Sequence, residues 1–193
     1  MPVDIKQEAE NNLRFIRGAI ERAERMSAVS GKGGMAMGVI ALVAMALASR
    51  VSLLTDQLFV WIAAAFIAAS AAVLFTALKA RKNDDYFLAS DSTRRFLQCL
   101  MPVLIVGMLI SWALWFTPQI GLLPALWMLL YGCGLLAAGT YAVPPVMFMG
   151  GCFLIAGLIT YALPPAWGNI LLGFVFGGLH IAFGYQVFKH HGG

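Results

Sequence analysis

Long apolar runs separated by short polar or proline-containing breaks dominate the sequence. One run covers residues 33–49 and resumes at 51–54 after Arg50, and a second covers residues 57–78 without a charge. From residue 96 to residue 188 the chain contains no Asp, Glu, Lys or Arg. An apolar run of about 20 residues is long enough to cross a bilayer as a helix. The pattern therefore predicts a chain that folds back and forth through a membrane.

Proline-containing breaks divide the uncharged half into further spans. Each break combines proline with a polar or aromatic residue, as turns do. The breaks predict four helices, over residues 96–116, 121–140, 146–163 and 169–188. With the two earlier runs this makes six spans, so we expect an all-α polytopic membrane protein.

The six spans are expected to form three helical hairpins. The expected segments are an amphipathic helix and linker (1–32), a first hairpin (33–78), a cytoplasmic loop (79–95), a second hairpin (96–141) and a third hairpin with a basic tail (142–193). An alternative is signal-peptidase cleavage after Ala46-Leu47-Ala48, which would leave five spans. The segment before the first apolar run is long and carries acidic residues, unlike a signal peptide. We therefore expect the first span to be retained as an anchor.

The basic residues are distributed unevenly between the two predicted membrane faces. Twelve of the 13 Lys and Arg side chains lie on one face, and Arg50 alone lies on the other. Cytoplasmic loops carry an excess of Lys and Arg, so both termini are predicted to be cytoplasmic. The aromatic residues fit interfacial belts, with Trp61, Trp115 and Trp167 at predicted outer ends and Tyr141 and Tyr185 at inner ends.

Composition supports the membrane interpretation and excludes several protein classes. Of the 193 residues, 61% are hydrophobic and 11% are charged, against about 25% charged in an average soluble domain. A soluble chain of this size has too little interior for so much apolar side chain. A soluble enzyme, a nucleic-acid-binding module, a disulfide-rich secreted domain and a disordered regulator are therefore excluded.

The second and third hairpins show an internal sequence match. Ordered Pro-Val-x-x-x-Gly and Gly-Leu-x-x-Ala-x-x-Tyr spacings recur, which predicts a duplicated hairpin of the parallel-repeat kind found in some transporters. The matched residues are Pro102, Val103 and Gly107 with Pro145, Val146 and Gly150, and Gly134, Leu135, Ala138 and Tyr141 with Gly178, Leu179, Ala182 and Tyr185.

Two segments carry a resemblance to a known family. They are residues 26–34, MSAVSGKGG, which lead into the first span, and residues 177–184, GGLHIAFG, in the last span. In these motifs and in its layout the whole chain resembles an uncharacterised family of bacterial six-helix inner-membrane proteins. The resemblance implies an inner-membrane location and carries no activity. More distantly, hairpins with Gly150, Gly157, Pro164 and Gly184 look similar to those of three-hairpin acid-resistance membrane proteins.

The N-terminal segment has the periodicity of an amphipathic helix. Its apolar positions recur every three or four residues: Ile5, Ala9, Leu13, Ile16, Ile20 and Ala23. Such a helix lies on a membrane surface or covers its own bundle, or it docks a cytoplasmic partner or a second copy. Leu13, Ile16 and Ile20 are the expected contacts, together with Arg94 and Arg95 of the cytoplasmic loop.

The run Gly31-Lys32-Gly33-Gly34 superficially resembles a phosphate-binding loop. That motif requires a glycine five residues before the Gly-Lys pair and Ser or Thr after the lysine, but Met26 and Gly33 occupy those positions. We therefore interpret the run as a flexible link with a basic anchor.

His180 is the candidate functional residue of the membrane core. Apart from Cys and Tyr, it is the only ionisable group in the last four predicted spans. It shares one helical face with Gly173, Gly177 and Gly184. Small residues let a second helix approach closely, so we expect His180 to face protein.

Two interpretations of His180 remain open. In the first, it forms an interhelical hydrogen bond to a hydroxyl group, with Thr140, Tyr131 and Ser111 as candidate partners. In the second, it serves as a proton relay, a ligand-binding group or a metal ligand, because an intramembrane histidine is by default a functional hypothesis.

The remaining polar candidates favour structural interpretations. His190 and His191 lie on a short tail and are expected to be solvated, and the paired carboxylates Asp84 and Asp85 are expected in a solvated turn. The cysteines are expected to act as small packing residues without disulfides; they are Cys99, Cys133 and Cys152.

The scarcity of charge argues against chemistry within the membrane. An intramembrane enzyme needs a nucleophile with a base or a metal with several ligands, and a coupled transporter usually has a midplane carboxylate. We therefore expect a non-enzymatic scaffold, sensor or accessory subunit without cofactor or metal. Its expected contacts are membrane lipid, a cytoplasmic or membrane protein, or a second copy, and not nucleic acid. The alternative is a passive channel or uncoupled transporter of a small neutral solute.

Overall fold

The computed structural model describes residues 5–27, 30–82 and 91–191, and these residues form seven α-helices and no strand. The helices are α1 (Ile5–Ser27), α2 (Gly31–Ala48), α3 (Leu54–Lys82), α4 (Asp91–Leu114), α5 (Leu123–Gly139), α6 (Pro144–Ala162) and α7 (Gly168–His191). Short 3₁₀ helices at Pro118–Leu122 and Pro165–Trp167 precede α5 and α7. Six helical segments are each long and apolar enough to span a membrane: α2, α3, α4 and α6, and α5 and α7 together with the 3₁₀ helices that precede them. The prediction of an all-helical chain with six apolar spans is confirmed.

The helix boundaries follow the proline and serine positions. Proline lies in the first turn of α5 and α6, where its missing N–H and fixed φ suit the start of a helix. Ser30 precedes α2 in extended conformation, and its hydroxyl accepts from the Gly33 amide at 3.4 Å. The glycine-rich run is thus the first turn of α2, and its interpretation as a flexible link was wrong.

The segment predicted as a cytoplasmic loop is largely helical where the structure describes it. Residues 79–82 continue α3 and residues 91–95 begin α4. Charged residues stop an apolar run but do not stop a helix, because Lys and Arg have good helix propensity. The predicted turn at Asp84 and Asp85 lies outside the described residues.

The tightest helix pairs join helices of different predicted hairpins. Helix α2 packs along α7 and more loosely against α3, while α5 packs along α6 and against α4. Helix α7 also touches α5 and α6 and so links the two groups. The central cluster that results is built around two fully buried side chains, Met128 of α5 and Phe153 of α6.

The predicted duplication has no clear counterpart in side-chain environment. Gly134 of α5 faces Leu100 and Val103 of α4, whereas its sequence match Gly178 of α7 faces open space. Likewise, Pro102 lies inside α4, whereas Pro145 lies in the first turn of α6. The repeat therefore remains a sequence prediction.

Candidate functional site: a histidine–tyrosine pair

His180 lies inside the bundle and hydrogen-bonds through both ring nitrogens. Its side chain is 4% exposed. Nδ1 lies 2.8 Å from the Phe176 carbonyl oxygen of the preceding turn, and a carbonyl only accepts, so Nδ1 carries the proton. Nε2 of the neutral ring is then an acceptor, and the Tyr131 hydroxyl at 2.9 Å donates to it. Of the three predicted hydroxyl partners, the fold places Tyr131 beside His180.

Aromatic rings surround this pair. The ring of Phe176 is stacked on His180 with centroids 5.8 Å apart, and Phe153 meets His180 edge-on at 5.7 Å. Phe153 also packs edge-to-face on Tyr131 at 5.0 Å and on Phe176 at 4.6 Å. Edge-to-face contacts of this kind stabilise beyond simple burial. The hydrogen bond from α5 to α7 therefore lies in a buried aromatic cluster to which α6 also contributes.

A second polar group in the same core is also satisfied. The Thr160 hydroxyl of α6 lies 2.8 Å from the Ala156 carbonyl and 3.5 Å from the Met128 sulfur. A Thr hydroxyl in a helix commonly bonds back to the preceding turn in this way. Across the described residues, every buried side-chain nitrogen and oxygen has a hydrogen-bond partner.

A glycine seam fixes the position of α7. A β-carbon at Gly184 would lie 2.7 Å from the Met35 nitrogen and 2.9 Å from the Gly31 oxygen, and one at Gly38 would lie 2.6 Å from the Gly177 oxygen. Gly173 faces the Met45 side chain of α2. The predicted packing residues Gly173, Gly177 and Gly184 thus all lie against α2. Their partner glycines on α2 were missed, although the spacing of 31, 34 and 38 is a small-residue signal.

The charge environment of the pair is neutral. Helices α2, α5, α6 and α7 contain no Asp or Glu, and Lys189 of α7 lies more than two turns beyond His180. Lys32 of α2 lies over the ring of Phe188, which is also more than two turns beyond His180. Within residues 5–27, 30–82 and 91–191, no three His, Cys, Asp or Glu residues lie together as a metal site. The arrangement can hold a neutral hydrogen bond between helices, and these four helices offer it no carboxylate for proton exchange.

A polar cluster missed by the sequence analysis joins three helices at the Trp61 end. The Trp61 indole N–H of α3 donates to the Asn169 side-chain oxygen of α7 at 2.9 Å. The Asn169 amide donates to the Ser49 hydroxyl at 2.9 Å and reaches the Met45 carbonyl oxygen of α2 at 3.3 Å. The predicted last span begins at residue 169, but sequence alone does not show which spans meet there.

The predicted surface contacts lie on exposed helix faces. Leu13 and Ile16 of α1 are 67% and 53% exposed, although α1 touches α4 and α3. The side chain of Ile20 lies outside the described residues. Arg94 and Arg95 are exposed in the first turn of α4, and the Arg95 guanidinium lies 5.7 Å from the ring centroid of Tyr141.

The cysteines differ from their predicted packing role. Cys133 and Cys152 are exposed and Cys99 is half-buried, and all three are free thiols. Glycine fills the positions of closest approach in α5 and α6: Gly150 lies against Gly132. This contact is too close for a side chain as large as cysteine. Cys133 and Cys152 therefore lie on the outer faces of α5 and α6.

Comparison with known proteins found no matching family model, no curated relative and no solved structure of similar fold.

Proposed function

We propose that this protein is a non-enzymatic membrane scaffold or accessory subunit in the cell's inner membrane, with both termini in the cytoplasm. The observation that carries the proposal is the closed core. Both nitrogens of His180 are hydrogen-bonded, and the Tyr131 hydroxyl donates its hydrogen bond to Nε2 within an aromatic cluster. A site that binds substrate needs polar groups left open to it, and this one has none among its described side chains.

Exposed apolar side chains on α1 support a contact role. Leu13 and Ile16 share a face and remain exposed while α1 touches the bundle. On the proposed topology this face lies at the cytoplasmic membrane surface, where it is available to a protein partner. A sensor role would act through the same helix.

The experiment compares partner recovery by variants of α1 in mild detergent. Leu13→Glu with Ile16→Glu should remove a specific co-purifying protein that the wild-type chain retains. The matched control changes exposed polar positions of the same helix, Gln7→Glu with Asn11→Glu, and should retain it. Recovery of the same protein by all three chains, or of none by the wild type, overturns the proposal.

Passive passage of a small neutral solute has less support. Met128 and Phe153 are fully buried at the centre of the bundle, where a route between α5, α6 and α7 would need space. Solute and water flux into proteoliposomes should therefore equal that of empty liposomes. A flux above that background that changes with His180→Ala would favour the channel instead.

A further inference from the structure

Helix α4 presents one exposed stripe along its whole length. Residues three or four apart lie on the same helical face, and this stripe is polar at its start and apolar thereafter. Met101, Ile105 and Leu109 are 44%, 51% and 63% exposed, and Trp112 is 76% exposed. The stripe consists of Arg94, Gln98, Met101, Ile105, Leu109 and Trp112.

The dimensions of the stripe match those of a bilayer. Arg94 and Trp112 are 18 residues apart, which is about 27 Å along a helix, close to the roughly 30 Å of a hydrocarbon core. Trp favours the membrane interface, so Arg94 at the other end lies at headgroup level. An acyl chain of one leaflet would cover the half of the stripe from Gln98 to Ile105.

The next residue of α4 carries a second guanidinium. Arg95 is exposed and is held over the Tyr141 ring, which follows α5. Its exposed guanidinium offers N–H donors, and Arg binds phosphate oxygens in bidentate geometry. Basic groups between transmembrane helices are known to bind anionic lipid headgroups.

We propose that Arg94 and Arg95 bind the phosphate of one anionic phospholipid, whose acyl chain lies on the Gln98–Ile105 part of the α4 stripe. The charge of the two guanidiniums selects an anionic headgroup, and the apolar stripe below them selects a lipid over a free phosphate ion. Helix α7 provides the internal comparison, because its exposed face ends in a single basic residue, Lys189, and has the small residues Gly178 and Ala182 at its middle.

The test measures lipid retention by native mass spectrometry of the full chain in detergent. The probes are phosphatidylglycerol, zwitterionic phosphatidylcholine and inorganic phosphate as a competitor. One phosphatidylglycerol should bind per chain in preference to phosphatidylcholine, and phosphate should not displace it. Equal retention of the two lipids, or displacement by phosphate, overturns the proposal.

Variants assign the binding to α4. Arg94→Gln with Arg95→Gln should weaken phosphatidylglycerol binding about 30-fold, as expected for the loss of two juxtamembrane cations. Arg94→Lys with Arg95→Lys keeps the charge but removes the bidentate donors, so it should bind phosphatidylglycerol more tightly than the double glutamine variant and more weakly than the wild type. Lys189→Gln removes a cation from α7 and should leave binding unchanged. Equal melting temperatures establish that all variants fold, and binding unaltered in the double glutamine variant contradicts the site.

Discussion

The central helix pairs, α2–α7 and α5–α6, contact each other through small residues, whereas the edge helices α3 and α4 expose large apolar side chains. Between α5 and α6 the backbones approach so closely that a β-carbon at Gly150 would lie 3.0 Å from the Gly132 oxygen. On the edges, Phe66 of α3 and Leu109 of α4 are 64% and 63% exposed. In lipid there is no hydrophobic gain from hiding an apolar side chain against another helix, so close packing and hydrogen bonds determine which helices associate. The comparison indicates that glycine position, rather than hydrophobicity, sets the order of the helices.

The largest loss of stability is expected where an added side chain would meet backbone in the seam between α2 and α7. Gly184→Val places a β-carbon 2.7 Å from the Met35 nitrogen, and backbone cannot move aside as a flexible side chain does. Overpacking costs about 1–3 kcal/mol and occasionally more, and we expect the upper end of this range. Thermal unfolding in detergent, followed by circular dichroism, measures the loss.

Gly178→Val is the matched control on the same helix. A β-carbon at Gly178 meets nothing within 4 Å, while the change in helix propensity is the same. The control should melt close to the wild type. Equal melting temperatures for the two valine variants would contradict the glycine seam.

The same comparison shows how far the sequence could predict the fold. The six spans were predictable because prolines and apolar runs mark them directly. The pairing of α2 with α7 was not, because glycine spacing reveals a face suited to close packing but not which helix it meets. The run from Gly31 was predicted to be a link but is helical, although glycine costs about 1 kcal/mol in a helix interior. Contact with α7 offsets that cost.

The candidate site was predicted in part for a related reason. The intramembrane position of His180 and its glycine neighbours were visible in the sequence. Three hydroxyl groups were equally eligible partners, and only the contact between α5 and α7 selects Tyr131. The cluster around Asn169 could not be predicted, since its members are more than 100 residues apart along the chain.

The next largest effect is expected from breaking the histidine–tyrosine pair. Tyr131→Phe leaves His180 Nε2 without its donor, and an unsatisfied buried group costs about 1–3 kcal/mol. His180→Phe should cost a similar amount because the Tyr131 hydroxyl then loses its acceptor. The free energies of unfolding of the single and double variants form a cycle.

The double variant distinguishes a hydrogen bond from simple packing. The double variant has neither polar group and so leaves no buried group without a partner. Its loss in the free energy of unfolding should therefore be smaller than the sum of the losses in the two single variants. The coupling energy of a hydrogen bond between transmembrane helices averages about 0.6 kcal/mol and reaches about 1.7 kcal/mol. We expect a coupling energy between these two values for the histidine–tyrosine pair, because the pair is buried. Additive losses would show that the two groups act independently.

A smaller effect is expected at the Asn169 cluster. Asn169→Ala removes the contacts to Trp61, Ser49 and the Met45 carbonyl. These groups are only partly buried, so water replaces the lost bonds and the expected cost is about 1 kcal/mol. Asn169→Asp keeps an acceptor for Trp61 but turns a carboxylate oxygen toward the Met45 carbonyl oxygen, so it should lose at least as much stability as Asn169→Ala in the same unfolding assay. A smaller loss for aspartate than for alanine would contradict the assigned hydrogen-bond direction.

The smallest effect is expected on the exposed stripe of α4. Ile105→Ala with Leu109→Ala removes apolar volume from a face that the bundle does not cover, so no cavity forms and the free energy of unfolding should change by less than about 0.5 kcal/mol. The matched change in the interior is Phe153→Ala, which should cost several times more than the α4 variant because Phe153 is fully buried and its removal leaves a cavity. If the α4 variant instead loses stability and also shifts to a smaller species in size-exclusion chromatography, a second copy of the chain covers this face. The stability of a chain that associates varies with its concentration. A dependence of stability on protein concentration in the wild type, and none in the α4 variant, would establish that a second copy covers this face.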